Sequence, residues 1–291
     1  MKEIKFLDPS IERKKKITNK NFQLIEGTSI PLPSEVEISE SGVCNRKCSF
    51  CPRSDPSYED INEFIDSSLH SKLIDQLQSL NYRGVIRYSG FVEPLLDKNI
   101  YNLIKEVSQK IPECRREIVT NGDVLNAKRL RKLFESGLNT ILISVYDGPE
   151  DAKKFEKMCL DENLNKEQFV IRHRYYSEEK DFGLTISNRA GMMKNAEYNI
   201  QPLEKSLNLK CYYPSYTFFM DYNGDVLMCP HDWGKKIILG NMNKDNFLNI
   251  WTSKKAIAIR KKLNKSDRNF SPCNVCDVKG DLIGKKHAES W

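Results

Sequence analysis

At 291 residues, with 46 Lys+Arg against 40 Asp+Glu and nine cysteines, the chain is long enough for one large domain, alone or with a small appendage, and can bury a proper core. No apolar run approaches the roughly 18 to 20 residues that span a bilayer, and the opening 21 residues are too charged for a signal-peptide core, so a cytoplasmic protein is expected. The net charge of +6 is scattered, gives no footing for a nucleic-acid or membrane partner, and leaves an acidic or phosphorylated small-molecule substrate open.

Residues 1–34 form a polar N-terminal extension whose basic run, Arg13-Lys14-Lys15-Lys16, reads as a solvated arm. From 35 to 191, short β-branched or apolar runs alternate with segments of helical period, the signature of βα units around a parallel sheet. Strands are expected over 35–39, 85–88, 117–120, 140–145, 169–172 and 184–186, with helices over 67–80, 98–111, 128–136 and 149–158. Leu73, Ile74, Leu77 and Leu80 fall at core-facing spacing in the first helix. The fold class is therefore α/β, a partial (β/α)6 barrel of TIM type.

The pattern changes over 192–291. Strands at 216–220 and 225–228 flank Tyr222-Asn223-Gly224 as a tight hairpin, and 247–263 reads as a short strand or loop followed by a helix. This smaller unit has four cysteines and a thin core, so a metal site would supply stability that packing does not.

Nine cysteines without a secretion signal indicate metal binding rather than disulfides. Seven fall into two groups, leaving Cys114 and Cys159 as buried small hydrophobes. Cys44, Cys48 and Cys51 follow the first strand, at the end of a βα barrel where active sites lie. Three thiolates ligate three irons of a [4Fe–4S] cube and leave the fourth open; the bland alternative is a zinc loop short of one ligand.

This spacing, with Phe50 just before the last cysteine, resembles the CxxxCxΦC motif of the radical S-adenosylmethionine (SAM) superfamily. The resemblance implies that the cofactor's amino and carboxylate groups bind the open iron, that one-electron cleavage gives a 5′-deoxyadenosyl radical, and that Phe50 lies against the adenine. Ser89-Gly90-Phe91-Val92-Glu93-Pro94 is similar to the family's Gly-Gly-Glu-Pro segment, which implies that the Gly90 backbone and the Glu93 carboxylate hold the cofactor ammonium. Val92 departs from the pattern. Asn121, in Thr120-Asn121-Gly122-Asp123, and Ser144, before Val145-Tyr146, end the third and fourth strands, positions from which similar enzymes bind the cofactor's ribose and carboxylate. On its own an Asn-Gly at a strand end signals a turn.

Cys211, Cys229, Cys273 and Cys276 are separated by 17 and 43 residues and a CxxC. Alone they could bind zinc. Together with Cys229-Pro230-His231-Asp232-Trp233, Leu239-Gly240-Asn241-Met242 and Asn249-Ile250-Trp251 they resemble the auxiliary-cluster domains called SPASM and twitch. Four cysteines imply the smaller, twitch type, with one fully ligated [4Fe–4S] cluster that moves electrons rather than binding substrate. The implied cofactors are SAM and two [4Fe–4S] clusters, and the implied electron partner is a reducing flavodoxin or ferredoxin.

The four-cysteine spacing, the run at Thr120 and Ser187-Asn188-Arg189-Ala190-Gly191 resemble short members of the superfamily that oxidise carbinols. The implied activity is oxidation of a carbinol of a sugar or aminocyclitol, the second electron passing to the auxiliary cluster. Arg189 follows the last expected barrel strand and is expected at the barrel mouth, orienting the substrate hydroxyl and stabilising the developing oxyanion. Two other classes stand beside this reading. One is a maturase of ribosomally made peptides, for which 34 polar residues give no leader-binding domain; the other is a zinc-stabilised binding protein without catalysis.

Overall fold

Five of the six expected barrel strands form side by side in the computed structural model, which describes residues 9–175, 187–195 and 199–291. They are β1 (Glu35–Ser39), β2 (Val85–Tyr88), β3 (Arg115–Thr120), β4 (Thr140–Val145) and β5 (Phe169–His173), parallel throughout. The crossovers carry α2 (Ser67–Ser79), α3 (Ile100–Lys110), α4 (Ala127–Glu135) and α5 (Pro149–Asp161). The expected strand at 184–186 lies outside the described residues. The sheet stays open, with these five in the order β5-β4-β3-β2-β1, as a partial barrel requires.

The C-terminal hairpin joins this same sheet. β6 (Thr217–Asp221) runs parallel to β1, with Glu35 opposite Thr217 and Ser39 opposite Asp221, while β7 (Asp225–Leu227) and β8 (Ile238–Asn241) continue antiparallel. Gly224 turns the hairpin at φ +87°, a left-handed conformation that glycine adopts without strain. Phe218 and Met220 of β6 enter the main core beside Phe247 and Trp251. The thin core expected for this unit is thus supplemented by the barrel's own.

Local chemistry explains several helix starts. Asp66 caps α2 by accepting from Ser68 N at 2.7 Å, and Asn126 caps α4 by accepting from Arg129 N at 3.0 Å. The stretch expected as a strand or loop before a helix is instead α7 (Phe247–Trp251) and α8 (Lys254–Asn264). Each has its own cap, Asn246 accepting from Asn249 N and Ser253 accepting from Ala256 N, so two N-cap signals divide one apolar run. Leu73, Ile74 and Leu77 of α2 are fully buried, each worth about 1.5–3 kcal/mol.

Alternation along the strands separates two environments. Val36, Ile38, Ile86, Ile118, Ile141 and Ile143 pack under the helices. Their neighbours Glu35, Glu37, Arg87 and Glu117 are buried among one another: Arg87 bonds both Glu35 and Glu117, and Glu37 accepts from Ser89 Oγ at 2.6 Å. Here the basic N-terminal run departs from its expectation as a solvated arm. It lies in α1 (Pro9–Lys20), from which Arg13 pairs with Glu117 and Lys14 pairs with Glu35 at 3.0 Å, over the rings of Tyr213 and Tyr216. The physical reason is charge balance: two buried carboxylates beside one Arg87 leave a deficit that α1 fills. Burial pushes the Glu117 pKa up, but Arg87 and Arg13 outweigh it and hold the group at about 2.

Candidate active site and cysteine cavity

The loop after β1 carries Cys44, Cys48 and Cys51. It turns back on itself where Cys51 N donates to Cys48 O at 2.9 Å, and the thiols are close enough to act on one another electrostatically. Burial raises all three above the ordinary thiol value, Cys48 to about 11, so the unligated site is neutral and ligation must release protons.

Side chains that spacing did not reveal pin this loop. Arg46 forks onto Asp123 and Asp147, beyond β3 and β4, and its guanidinium lies 5.4 Å from the Tyr146 ring centroid. Arg53 is only 2% exposed and donates to the carbonyls of Phe91 and Gly42. Asn195 donates to Ser49 O at 2.7 Å, tying the loop to the segment after the barrel. No sequence signal marks these partners, because each joins residues far apart in the chain.

The expected cofactor-contact residues surround the same end of the sheet. Phe50 lies 5.2 Å from Tyr146, ring centroid to centroid. Gly90 sits at φ +118°, and a Cβ there would come within 2.9 Å of Phe219, so backbone geometry alone requires glycine. Glu93 is 2% exposed and joins two strand ends: Oε1 accepts from Thr120 Oγ1 and Leu95 N, and Oε2 accepts from Asn121 N at 2.7 Å. Burial lifts its pKa to about 7. One lone pair on Oε2 stays free for a further donor. Asn121 Nδ2 donates to Asn45 Oδ1 at 2.8 Å, which ties β3 to the cysteine loop, and Ser144 Oγ accepts from Arg172 at 3.3 Å.

The other four cysteines come from separate segments yet line one apolar cavity, with Cys211 before the short helix α6 (Tyr213–Tyr216), Cys229 after β7, and Cys273 and Cys276 in the terminal knuckle. A Cβ on Gly280 would collide with Cys211 Sγ, so the knuckle closes on the cavity only because that residue is glycine. Arg268 borders the cavity and spends its donors on the carbonyls of Leu209, Lys210 and Val278. Among the described residues no three His, Cys, Asp or Glu side chains gather tightly enough for a single metal ion. Thiols spread around an apolar cavity suit a polynuclear iron–sulfur group, with one iron behind each sulfur, better than one zinc. Cys114 and Cys159 are buried elsewhere, at 1% and 0% exposure.

Between the two cysteine groups lies the segment 187–191. Asn188 anchors it to the knuckle, donating from N to Asp277 and from Nδ2 to Val275 O at 2.6 Å. Arg189, Ala190 and Gly191 are all left-handed, at φ +47°, +52° and +90°. Two consecutive non-glycine residues there carry strain, of order 1–3 kcal/mol each. The result is that Ala190 lines the cysteine cavity while Arg189 acts electrostatically on both Cys51 and His231. Arg189 Nε is buried without a hydrogen-bond partner among the described residues, and so is His231 Nδ1. Burial, then Arg189, lowers the His231 pKa to about 3, so its imidazole is neutral.

Comparison with known proteins brings these features together. The model of the radical SAM superfamily matches residues 38–175, and the SPASM model, an iron–sulfur cluster-binding domain, matches 211–277. The S-adenosyl-L-methionine-dependent 2-deoxy-scyllo-inosamine dehydrogenase of Niallia circulans is 32% identical over 247 residues, 84% of this chain and 92% of its own length. Among solved structures, BtrN in complex with AdoMet and 2-DOIA superposes with a TM-score of 0.74 at 28% identity, covering 90% of this chain and 99% of that one. Native anSMEcpe with bound AdoMet, at 13% identity and a TM-score of 0.53 over 83% of this chain and 93% of that one, shares the fold alone.

Proposed function

This chain belongs to the radical SAM superfamily and is an oxidoreductase with a SPASM-type domain, and we propose that its substrate is an aminocyclitol or related sugar, free or phosphorylated, whose carbinol it oxidises to a ketone. Its cofactors are SAM and [4Fe–4S] clusters, which when bound supply hydrogen-atom abstraction and a sink for one electron. Cys44, Cys48 and Cys51 would hold the open-sided cluster, and Cys211, Cys229, Cys273 and Cys276 the auxiliary one. Phe50, Gly90, Glu93, Asn121 and Ser144 would hold SAM, with the free lone pair of Glu93 Oε2 accepting from its ammonium. A flavodoxin or ferredoxin would deliver the reducing electron.

Arg189 carries the catalytic reading, because its unpartnered Nε is buried between the two cysteine groups. A guanidinium is too weak an acid to serve as a general base. It instead donates to the carbinol oxygen, orienting the C–H bond and stabilising the negative charge that develops as the hydroxyl proton passes to water, a contribution of about 3–4 kcal/mol for one preorganised donor.

The test is to supply reconstituted, reduced enzyme with aminocyclitols deuterated at the carbinol carbon, 2-deoxy-scyllo-inosamine among them. Deuterium should appear in 5′-deoxyadenosine, with ketone formed in equal amount. Deoxyadenosine without deuterium or ketone across a panel of aminocyclitols and amino sugars would refute the substrate class. Arg189→Lys should keep more ketone formation than Arg189→Gln, with SAM affinity little changed in either. A loss of SAM affinity with an unchanged ketone-to-deoxyadenosine ratio would move Arg189 to the cofactor.

A further inference from the structure

The net charge is less scattered than the chain-wide count suggests. Residues 201–291 hold 15 of the 46 Lys+Arg but only 9 of the 40 Asp+Glu, so this stretch carries the whole +6 and the first 200 residues are neutral. Several of its charges are internal: Arg260 and Arg268 are buried, and Lys235 pairs with Asp221. The densest exposed cluster is on α8, where Lys254, Lys255, Lys261 and Lys262 face solvent, followed by Lys265.

The lysines of this helix are both concentrated and unpaired: the four of α8 and the adjoining Lys265 have no acidic partner among the described residues, whereas the unpaired Lys105, Lys128 and Lys154 of the barrel are spread over three different helices. Lys254 and Lys255 also occupy a first turn that holds no acidic residue, where the helix dipole disfavours cations. Helix stability therefore does not account for Lys254, whereas Lys255 is held by Ile238 O at 2.6 Å and Lys261 and Lys262 sit in the last turn, where the dipole favours cations.

The opposite face of the same helix explains why they matter. Leu263 is fully buried, packs with Met228, Ile237 and Cys273, and lines the four-cysteine cavity. One helix thus separates the thiols from a lysine-rich surface.

We propose that α8 is the docking face for an acidic, one-electron carrier protein of the flavin or iron–sulfur class. This rests on reading the cavity as the auxiliary-cluster site. Each substrate oxidation leaves one electron there; the docked carrier in its oxidised state takes it, becoming reduced by one electron and restoring the acceptor for the next turnover. The lysines supply charge complementarity and speed encounter, while the apolar inner face keeps the path short.

The experiment measures association of the fully reconstituted protein with an immobilised, oxidised acidic flavodoxin. Lys254→Glu, Lys261→Glu and Lys265→Glu together should lower the association rate by about tenfold at low salt, and the difference should close near about 0.5 M salt. The milder triple change to Gln should give an intermediate loss, which guards against misfolding of the reversed variant. Reversal of Lys105, Lys128 and Lys154, one on each of three barrel helices, should leave association unchanged. Equal loss in both sets, or wild-type association in the α8 variants, would overturn the proposal. So would loss of binding to a single-stranded RNA with flavodoxin association intact, which would assign the surface to nucleic acid. Iron analysis of the same preparations separates the two levels: wild-type protein that never exceeds about four irons defeats the cluster reading, whatever the flavodoxin does.

Discussion

The two cysteine groups solve the same problem in opposite ways. The first keeps its three ligands within one short loop and fixes that loop from outside, with Arg46 on Asp123 and Asp147 and Arg53 on the carbonyls of Phe91 and Gly42. The second gathers its ligands from the approach to α6, the end of β7 and the terminal knuckle, around an apolar cavity walled by α8. A group bound to the first site fastens a loop onto a sheet that already stands; a group bound to the second joins three segments of the fold. The first should therefore govern chemistry, and the second both chemistry and stability.

The largest effect expected is on the first site. Cys48→Ala leaves two thiolates, too few to hold an open cube, so reductive cleavage of SAM should fall to background while the protein keeps its fold. Cys229→Ala should spare cleavage and uncouple it, with deoxyadenosine exceeding ketone. Product analysis of both variants checks this, and ketone at the normal ratio from the second would remove electron acceptance from the four-cysteine site.

Next comes the contrast in stability. Replacing both Cys273 and Cys276 by Ala should halve the iron from about eight to about four and lower the melting temperature by about 10 °C, because the bound group links segments that packing joins only in part. Replacing Cys44, Cys48 and Cys51 together should also halve the iron but move the melting point by less than about 4 °C. Equal shifts would erase the distinction between loop and assembled site.

What the sequence made legible follows the same division. The strands β1, β2 and β4 and the three-cysteine loop could be read because their signals are local: β-branched or apolar runs and ligand spacing. The second set of cysteines was legible as ligands, but the cavity was not, since Gly280 against Cys211 and Asn188 against Val275 are contacts between distant residues. The place of β6 beside β1 was hidden for a related reason, as an apolar strand carries no mark of which edge it will join. The polar extension misled because a basic run reads alike whether its charges meet water or buried carboxylates.

That last point gives a smaller effect with a definite sign. Arg13→Met removes one of the cations that hold Glu117 ionised, at a cost of about 1.5–3 kcal/mol at neutral pH. The folded pKa of Glu117 lies below its ordinary 4.5, at about 2, so the pairing contributes fully above pH 4.5 and is lost as pH falls toward 2. The stability gap between variant and wild type should accordingly be widest at neutral pH and close between pH 4.5 and 2. Denaturant titrations across that range measure it, and a gap independent of pH would show that Arg13 acts through packing instead.

The smallest effect bears most directly on how the first loop is held. Arg46 is 22% exposed in its side chain, and Asp147 is 55% exposed, so as a surface ion pair the arrangement should add about 0–1 kcal/mol to stability. Its geometry differs from a simple pair, because one planar fork engages Asp123 beyond β3 and Asp147 beyond β4 while lying near the Tyr146 ring, itself the neighbour of Phe50. The carboxylates push its pKa further up, which leaves charge unchanged and makes orientation the quantity at stake. Lysine keeps the charge but cannot span both partners or present a plane. Arg46→Lys should therefore leave the melting point within about 2 °C of wild type and yet weaken SAM binding by about three- to tenfold, since the loop bearing Cys44, Cys48 and Cys51 would sample orientations in which Phe50 no longer meets Tyr146. Equilibrium binding of SAM to the reconstituted variant, set beside iron content, decides the matter. Normal iron with weaker binding is the expected pattern; reduced iron would mean that Arg46 helps to form the ligand set itself, and unchanged binding would mean that the backbone turn at Cys48 and Cys51 and the grip of Arg53 suffice to position the loop.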